Sequence, residues 1–97
     1  MNQKKAIQIA KEFAGRLKAI VPDFKMRLYG SYARAQATAD SDIDIYIVVP
    51  RRYFSYYLKN RVSNLAWEVS FLNETVIQIG LYSDNKFGIL RNAHHHL

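Results

Sequence analysis

Residues 28–49 read LYGSYARAQATADSDIDIYIVV, a Gly-Ser turn followed about ten residues later by two aspartates spaced i, i+2 ahead of an apolar run. Residues 42–49, DIDIYIVV, end in β-branched side chains that suit a strand buried on both faces, and Pro50 closes it. Alternate residues of a strand face one side, so Asp42 and Asp44 present two carboxylates together at the strand's mouth. Such charges repel unless a cation lies between them. Hard oxygen donors, few in number and near a phosphate site, suit Mg²⁺, which keeps waters and completes its shell with substrate phosphates. Gly30-Ser31 supplies the phosphate site: glycine lets backbone approach a ligand, and a serine opening a helix offers a hydroxyl and free N–H groups. Arg34, one turn on, adds a fixed positive charge for a phosphate or a leaving pyrophosphate.

Outward from this stretch, helices and strands alternate. Residues 3 to about 21 carry Ile7, Ala10, Ala14, Leu17 and Val21 on one stripe, with Ala6, Phe13 and Ile20 beside it, which predicts an amphipathic helix stopped by Pro22-Asp23. Phe24, Met26 and Leu28 alternate with Lys25, Arg27 and Tyr29 as a first strand running into Gly30. The Ala-rich residues 31–39 predict a short helix. From Ser55, Leu58, Val62, Leu65, Val69 and Leu72 keep helical spacing, and residues 75–82, TVIQIGLY, predict a third strand before a Ser83-Asp84-Asn85 turn. The order α-β-α(short)-β-α-β makes an α/β domain over residues 1–93, with helices covering a small sheet and residues 94–97, including His94 to His96, as a tail.

Composition bounds the rest. Ninety-seven residues, 49% hydrophobic and 13% aromatic, suffice for one core and exclude a second domain. No cysteine is present, so disulfides and thiolate metal sites are excluded and a reducing cytoplasm is the expected setting. The N-terminus lacks an apolar signal region, and no segment approaches the roughly 20 apolar residues of a membrane span. A formal charge of +6 favours anionic partners such as nucleotide phosphates, nucleic acid or an acidic protein surface. No RNP, KH or helix-turn-helix pattern accompanies it, which places nucleic acid behind the other two.

The string Gly30-Ser31-x-Ala33-Arg34, followed by Ser41-Asp42-Ile43-Asp44, resembles the signature of the minimal nucleotidyltransferases, the small branch of the DNA polymerase β-like superfamily. The resemblance covers most of the chain and implies that superfamily's small mixed sheet. It further implies that Gly30 and Ser31 hold a nucleoside triphosphate such as ATP, that Arg34 takes the place of the usual arginine, and that Asp42 and Asp44 bind two Mg²⁺ ions. Many members are antitoxins paired with a helical HEPN-family toxin, and some transfer AMP to a toxin tyrosine. Two positions depart from the pattern. Ala35 replaces the usual glycine, and Gln78 falls where a third carboxylate is expected on the next core strand.

Glutamine offers a metal only a neutral carbonyl oxygen and cannot serve as a base. Either Glu74, Glu68 or Asp84 supplies the missing carboxylate, or the chain binds nucleotide and metal yet transfers poorly. The corresponding expectations are an enzyme that moves AMP to a protein hydroxyl, and an antitoxin that neutralises its toxin by binding alone. Two further stretches suggest partner surfaces. RRYFSYYLKNR, residues 51–61, interleaves cations with aromatics that either stack a base or fold onto the sheet, and Trp67 with Phe71 widens the apolar arc of the long helix toward a protein partner or self-association.

Overall fold

A computed structural model describes residues 3–29 and 42–84. Its elements are helix α1 (Gln3–Leu17), strand β1 (Lys25–Tyr29), strand β2 (Ile43–Pro50), one 3-10 turn (Arg51–Tyr53), helix α2 (Tyr56–Leu72) and strand β3 (Ile77–Asp84). The sheet is mixed, in the order β1-β2-β3, with β1 antiparallel and β3 parallel to the central β2. The short helix expected over residues 31–39, with Gly30, Ser31, Arg34 and Ala35, lies outside the described residues, as does the tail.

Both helices pack on one face of this sheet. Ile43, Ile45, Ile47 and Val49 of β2 are fully buried against Ala6, Ile9, Phe13 and Leu17 of α1 and Leu58, Val62 and Val69 of α2. Phe13 is the largest of these side chains, and truncating so buried an aromatic to alanine costs about 3–5 kcal/mol. It also sets the rotation of α1. The buried line is Ala6, Ile9, Ala10, Phe13 and Leu17, so Ile7, expected on the stripe, is 39% exposed and Ala14 is only half-buried.

Four other expectations need correction. Helix α1 ends at Leu17 rather than at Pro22, because the Ile20 and Val21 N–H groups turn back onto the Leu17 carbonyl and send Val21 into the core. Ser83 and Asp84 belong to β3, paired with Val49 and Pro50, rather than to a turn. Leu72 is exposed and Ala66 takes its place in the core, because α2 stops there and the chain swings toward β3. Finally, β2 is not buried on both faces along its whole length. Val48 and Pro50 are buried, but Asp44 is half-buried and Tyr46 is 40% exposed, because no helix among the described residues covers that face.

Local chemistry fixes the ends of α2. The Ser55 hydroxyl accepts the Leu58 N–H at 3.0 Å, capping the first turn. At the other end the Thr75 N–H reaches the Ser70 carbonyl and the Glu74 N–H reaches Phe71, a Schellman motif with Glu74 in the left-handed conformation at φ 51°. The Ser70 hydroxyl then donates to the Ala66 carbonyl at 2.6 Å and accepts the Ile77 N–H at 3.0 Å, fastening the start of β3 to the helix. Among the described residues no helix is long and apolar enough to cross a membrane.

Candidate active site

Asp42 immediately precedes β2 and Asp44 is its second residue, flanked in register by Tyr29 of β1 and Gln78 of β3. The Ile43 N–H donates to the Val76 carbonyl at 2.9 Å, so the entrances of β2 and β3 are fastened together just where the aspartates stand. Gln78 shares the open face with Asp44, and its amide N–H donates to Asp42 Oδ2 at 2.6 Å. The two carboxylates and the amide therefore converge at one end of the sheet. Among the described residues no ion pair neutralises Asp42 or Asp44.

The three proposed substitutes for a third carboxylate lie elsewhere. Asp84 pairs with Pro50, six residues along the parallel strands from the Asp44–Gln78 pair and so about 20 Å away. Glu68 accepts an ion pair from Arg16 at 2.9 Å, joining α2 to α1. Glu74 is exposed in the turn that ends α2. No group of three or more acidic, histidine or cysteine side chains gathers among the described residues. Two hard carboxylates with no cationic partner among the described residues still suit Mg²⁺, with the Gln78 amide holding one of their oxygens.

Beside the carboxylates lies a groove of about 460 Å³ lined by Tyr29, Asp44, Tyr46, Gln78, Gly80 and Tyr82. The tyrosines form a diagonal row across the three strands, with ring centroids 4.3 Å apart between Tyr29 and Tyr46 and 5.5 Å between Tyr46 and Tyr82. Arg27 lies over the Tyr29 ring at 5.2 Å. The Tyr46 hydroxyl holds its proton above the usual tyrosine range, chiefly because the Tyr82 phenol lies beside it, then through partial desolvation, a hydrogen bond with Tyr82, and the proximity of Tyr29 and Asp44. Sequence reasoning passed over this row. Its signal was present in DIDIYI, where Tyr46 follows Asp42 and Asp44 at the same two-residue spacing.

A second groove, about 450 Å³, runs between α2 and β3 and is lined by Ala66, Trp67, Phe71, Val76, Ile77 and Ile79 among others. Among the described residues no charged side chain lines it, so they offer no chemistry for phosphate or metal there. Trp67 and Phe71 stack in parallel with centroids 6.1 Å apart while remaining more than 70% exposed. The basic-aromatic stretch of residues 51–61 begins after Pro50, at the opposite end of β2 from Asp44. There Arg52 pairs with Asp23 at 3.5 Å and lies over Tyr53, which packs against the core, while Arg61 donates to the Tyr57 hydroxyl at 3.0 Å. These residues do not join the carboxylate site.

The family model of the nucleotidyltransferase domain matches residues 10–93, most of the chain. The chain belongs to that family. No curated protein and no solved structure matches it. The described residues of this nucleotidyltransferase domain form two helices and a three-stranded mixed sheet, consistent with the polymerase β-like fold, and the matched span contains Asp42, Asp44 and Gln78.

Proposed function

We propose that this nucleotidyltransferase domain moves AMP from ATP to a protein hydroxyl in a Mg²⁺-dependent reaction, as the antitoxin of a HEPN-type toxin pair in the cytoplasm. The observation that carries the reading is the convergence of Asp42 and Asp44 at the mouth of the central strand, with no ion pair to either among the described residues, in a chain of this family. Asp42 and Asp44 would hold the metal, Gly30 and Ser31 would hold the triphosphate, and Arg34 would supply positive charge for a phosphate or the departing pyrophosphate. Bound Mg²⁺ supplies positive charge against the phosphates and lowers the cost of bringing them to two carboxylates. The acceptor oxygen forms its bond to the α-phosphorus as the bond to the β-phosphate bridge breaks and pyrophosphate leaves. Asp44, nearer the attacking oxygen, accepts the hydroxyl proton. The exposed Trp67–Phe71 surface supports a helical protein as the source of that hydroxyl.

Titration of the chain with ATP in Mg²⁺ and in EDTA tests this reading, repeated on Asp42→Asn/Asp44→Asn. Micromolar binding that needs both Mg²⁺ and the aspartates is the expected result. Absence of binding for every nucleoside triphosphate overturns it for the isolated chain.

A second reading, an antitoxin that neutralises by binding alone, is favoured by one contact. The Gln78 amide occupies an oxygen of Asp42 at 2.6 Å, where a carboxylate would otherwise add charge for a second metal. Toxin neutralisation that survives Asp42→Asn/Asp44→Asn supports this reading, and its loss in a folded variant sinks it.

A further inference from the structure

The open face of the sheet carries a feature that metal and phosphate binding do not require. Tyr29, Tyr46 and Tyr82 are 37%, 40% and 50% exposed, yet they touch one another, so the sheet presents a continuous aromatic surface to solvent. A surface of this kind on a basic chain marks a binding site more often than a packing solution. We infer that this tyrosine row is a stacking platform for a nucleobase, filled by the base of the nucleoside triphosphate whose phosphates lie at Asp42 and Asp44.

Register sets the position of the row. Tyr29 is paired with Asp44 itself, and Tyr46 is two residues further along β2, roughly 7 Å at strand spacing. A ligand with phosphates at the carboxylates therefore has the row about one sugar away. Gly80, the cross-strand partner of Tyr46, leaves the space above it to the Tyr82 ring. A Cβ at Gly80 would lie 2.9 Å from Tyr82 Cε2 and 3.1 Å from its hydroxyl oxygen, so the Tyr82 ring leans back along β3 toward Gln78 only because that side chain is missing. The Gln78 amide, in the same groove, holds Asp42 with one N–H and keeps its carbonyl oxygen and its other N–H for the edge of a base. Arg27 over Tyr29 adds a cation at the end of the row nearest the carboxylates.

The platform rests on the nucleotidyl-transfer reading only for the source of its base. The terminal base of a single-stranded nucleic acid has the same chemistry, and the two sources separate in one set of titrations on the full chain. The first arm measures ATP with Mg²⁺ against inorganic tripolyphosphate with Mg²⁺. The second measures a single-stranded oligoadenylate in EDTA, where the carboxylates cannot act through a metal. Each is repeated on Tyr46→Ala and Tyr82→Ala, with Tyr46→Phe and Tyr82→Phe as variants that keep the ring and the sheet packing.

Base–aromatic stacking lost by alanine substitution corresponds to roughly 5- to 150-fold in affinity. The expected result is a loss of that size for ATP in the alanine variants, none for tripolyphosphate, and retention in the phenylalanine variants. A loss confined to the oligoadenylate supports the platform and assigns its base to a nucleic acid. That same loss, in a chain that binds no ATP, supports the platform while removing the nucleotidyl-transfer reading. Affinities for ATP and oligoadenylate unchanged by folded alanine variants overturn the platform even if AMP is transferred, and so does absence of binding to both in the wild-type chain.

Discussion

The amide of Gln78 donates to Asp42 across the parallel β2–β3 pair at 2.6 Å, placing a neutral hydrogen-bond donor where three carboxylates would otherwise crowd. Without a metal, the amide relieves charge at the site that a third acid would increase. Gln78→Glu reverses this balance. Because the bond is exposed to solvent, its loss costs about 1 kcal/mol or less, to which repulsion between carboxylates is added. In EDTA the variant is expected to melt several degrees below wild type, at about 4–8 °C per kcal/mol for a domain of this size. Millimolar Mg²⁺ should raise its melting temperature more than it raises that of the wild type. Equal Mg²⁺ responses in thermal melts would separate Gln78 from the metal site.

Ser70 ties α2 to β3 through two hydrogen bonds, donating to Ala66 and accepting from the Ile77 N–H. Ser70→Ala leaves that part-buried N–H without its partner, and such a group costs about 1–3 kcal/mol. The expected outcome is a lower urea midpoint at an unchanged slope. Amide exchange at Ile77 should accelerate more than exchange at Ile45.

Glu74 is the left-handed residue of the Schellman motif, a position that glycine occupies without steric cost. Glu74→Gly is expected to stabilise the chain by about 1 kcal/mol, read as a higher urea midpoint, whereas Glu74→Ala, which keeps the Cβ, gains nothing. A destabilised glycine variant would mean that the Glu74 side chain contributes more than its backbone costs.

Alkaline pH tests the phenol cluster. The Tyr46 proton is held above the ordinary value of 10.0 by Tyr82 first and by Asp44 least of the stated causes. The folded chain therefore keeps this proton at a pH where the unfolded chain has lost it. The contribution is fully present below the ordinary tyrosine range and is lost as pH rises through the higher folded-state value. Urea midpoints of the wild type should fall more steeply above about pH 10 than those of Tyr46→Phe. Parallel curves for the two proteins would show that Tyr46 does not titrate differently on folding.

The order of the described elements was legible because Ile, Val and Leu recur at the spacing of each, and because Pro50 and Ser55 mark where β2 ends and α2 begins. That Asp44 stands at the start of β2 and Gln78 near the start of β3 followed from the reading of those two strands, whereas Asp42, expected as the first strand residue, stands just before β2. Contacts that depend on pairing were not legible. Whether Gln78 faces Asp44, and whether Tyr29 and Tyr82 flank Tyr46, depends on the register of three strands separated by long connections, and no local pattern encodes it. The rotation of α1 was missed for a related reason. Ile7 and Ile9 are equally apolar, and only the depth taken by Phe13 decides which of them is buried.

The register of β3 gives the chain a property that no single side chain carries. Residues 73–76 connect the last turn of α2 to Ile77 with almost no slack, since Thr75 is bonded back to Ser70 and Ile77 to the Ser70 hydroxyl. Adding or removing one residue there would reverse the facing of the whole strand, sending Gln78 and Tyr82 among the helices and Ile77 and Ile79 out beside Asp44. This connection thus works as a ruler. Descendants of the sequence can exchange some of its letters, a glycine at Glu74 among them, but cannot change their number without dismantling the surface on which Asp42, Asp44 and the tyrosines meet.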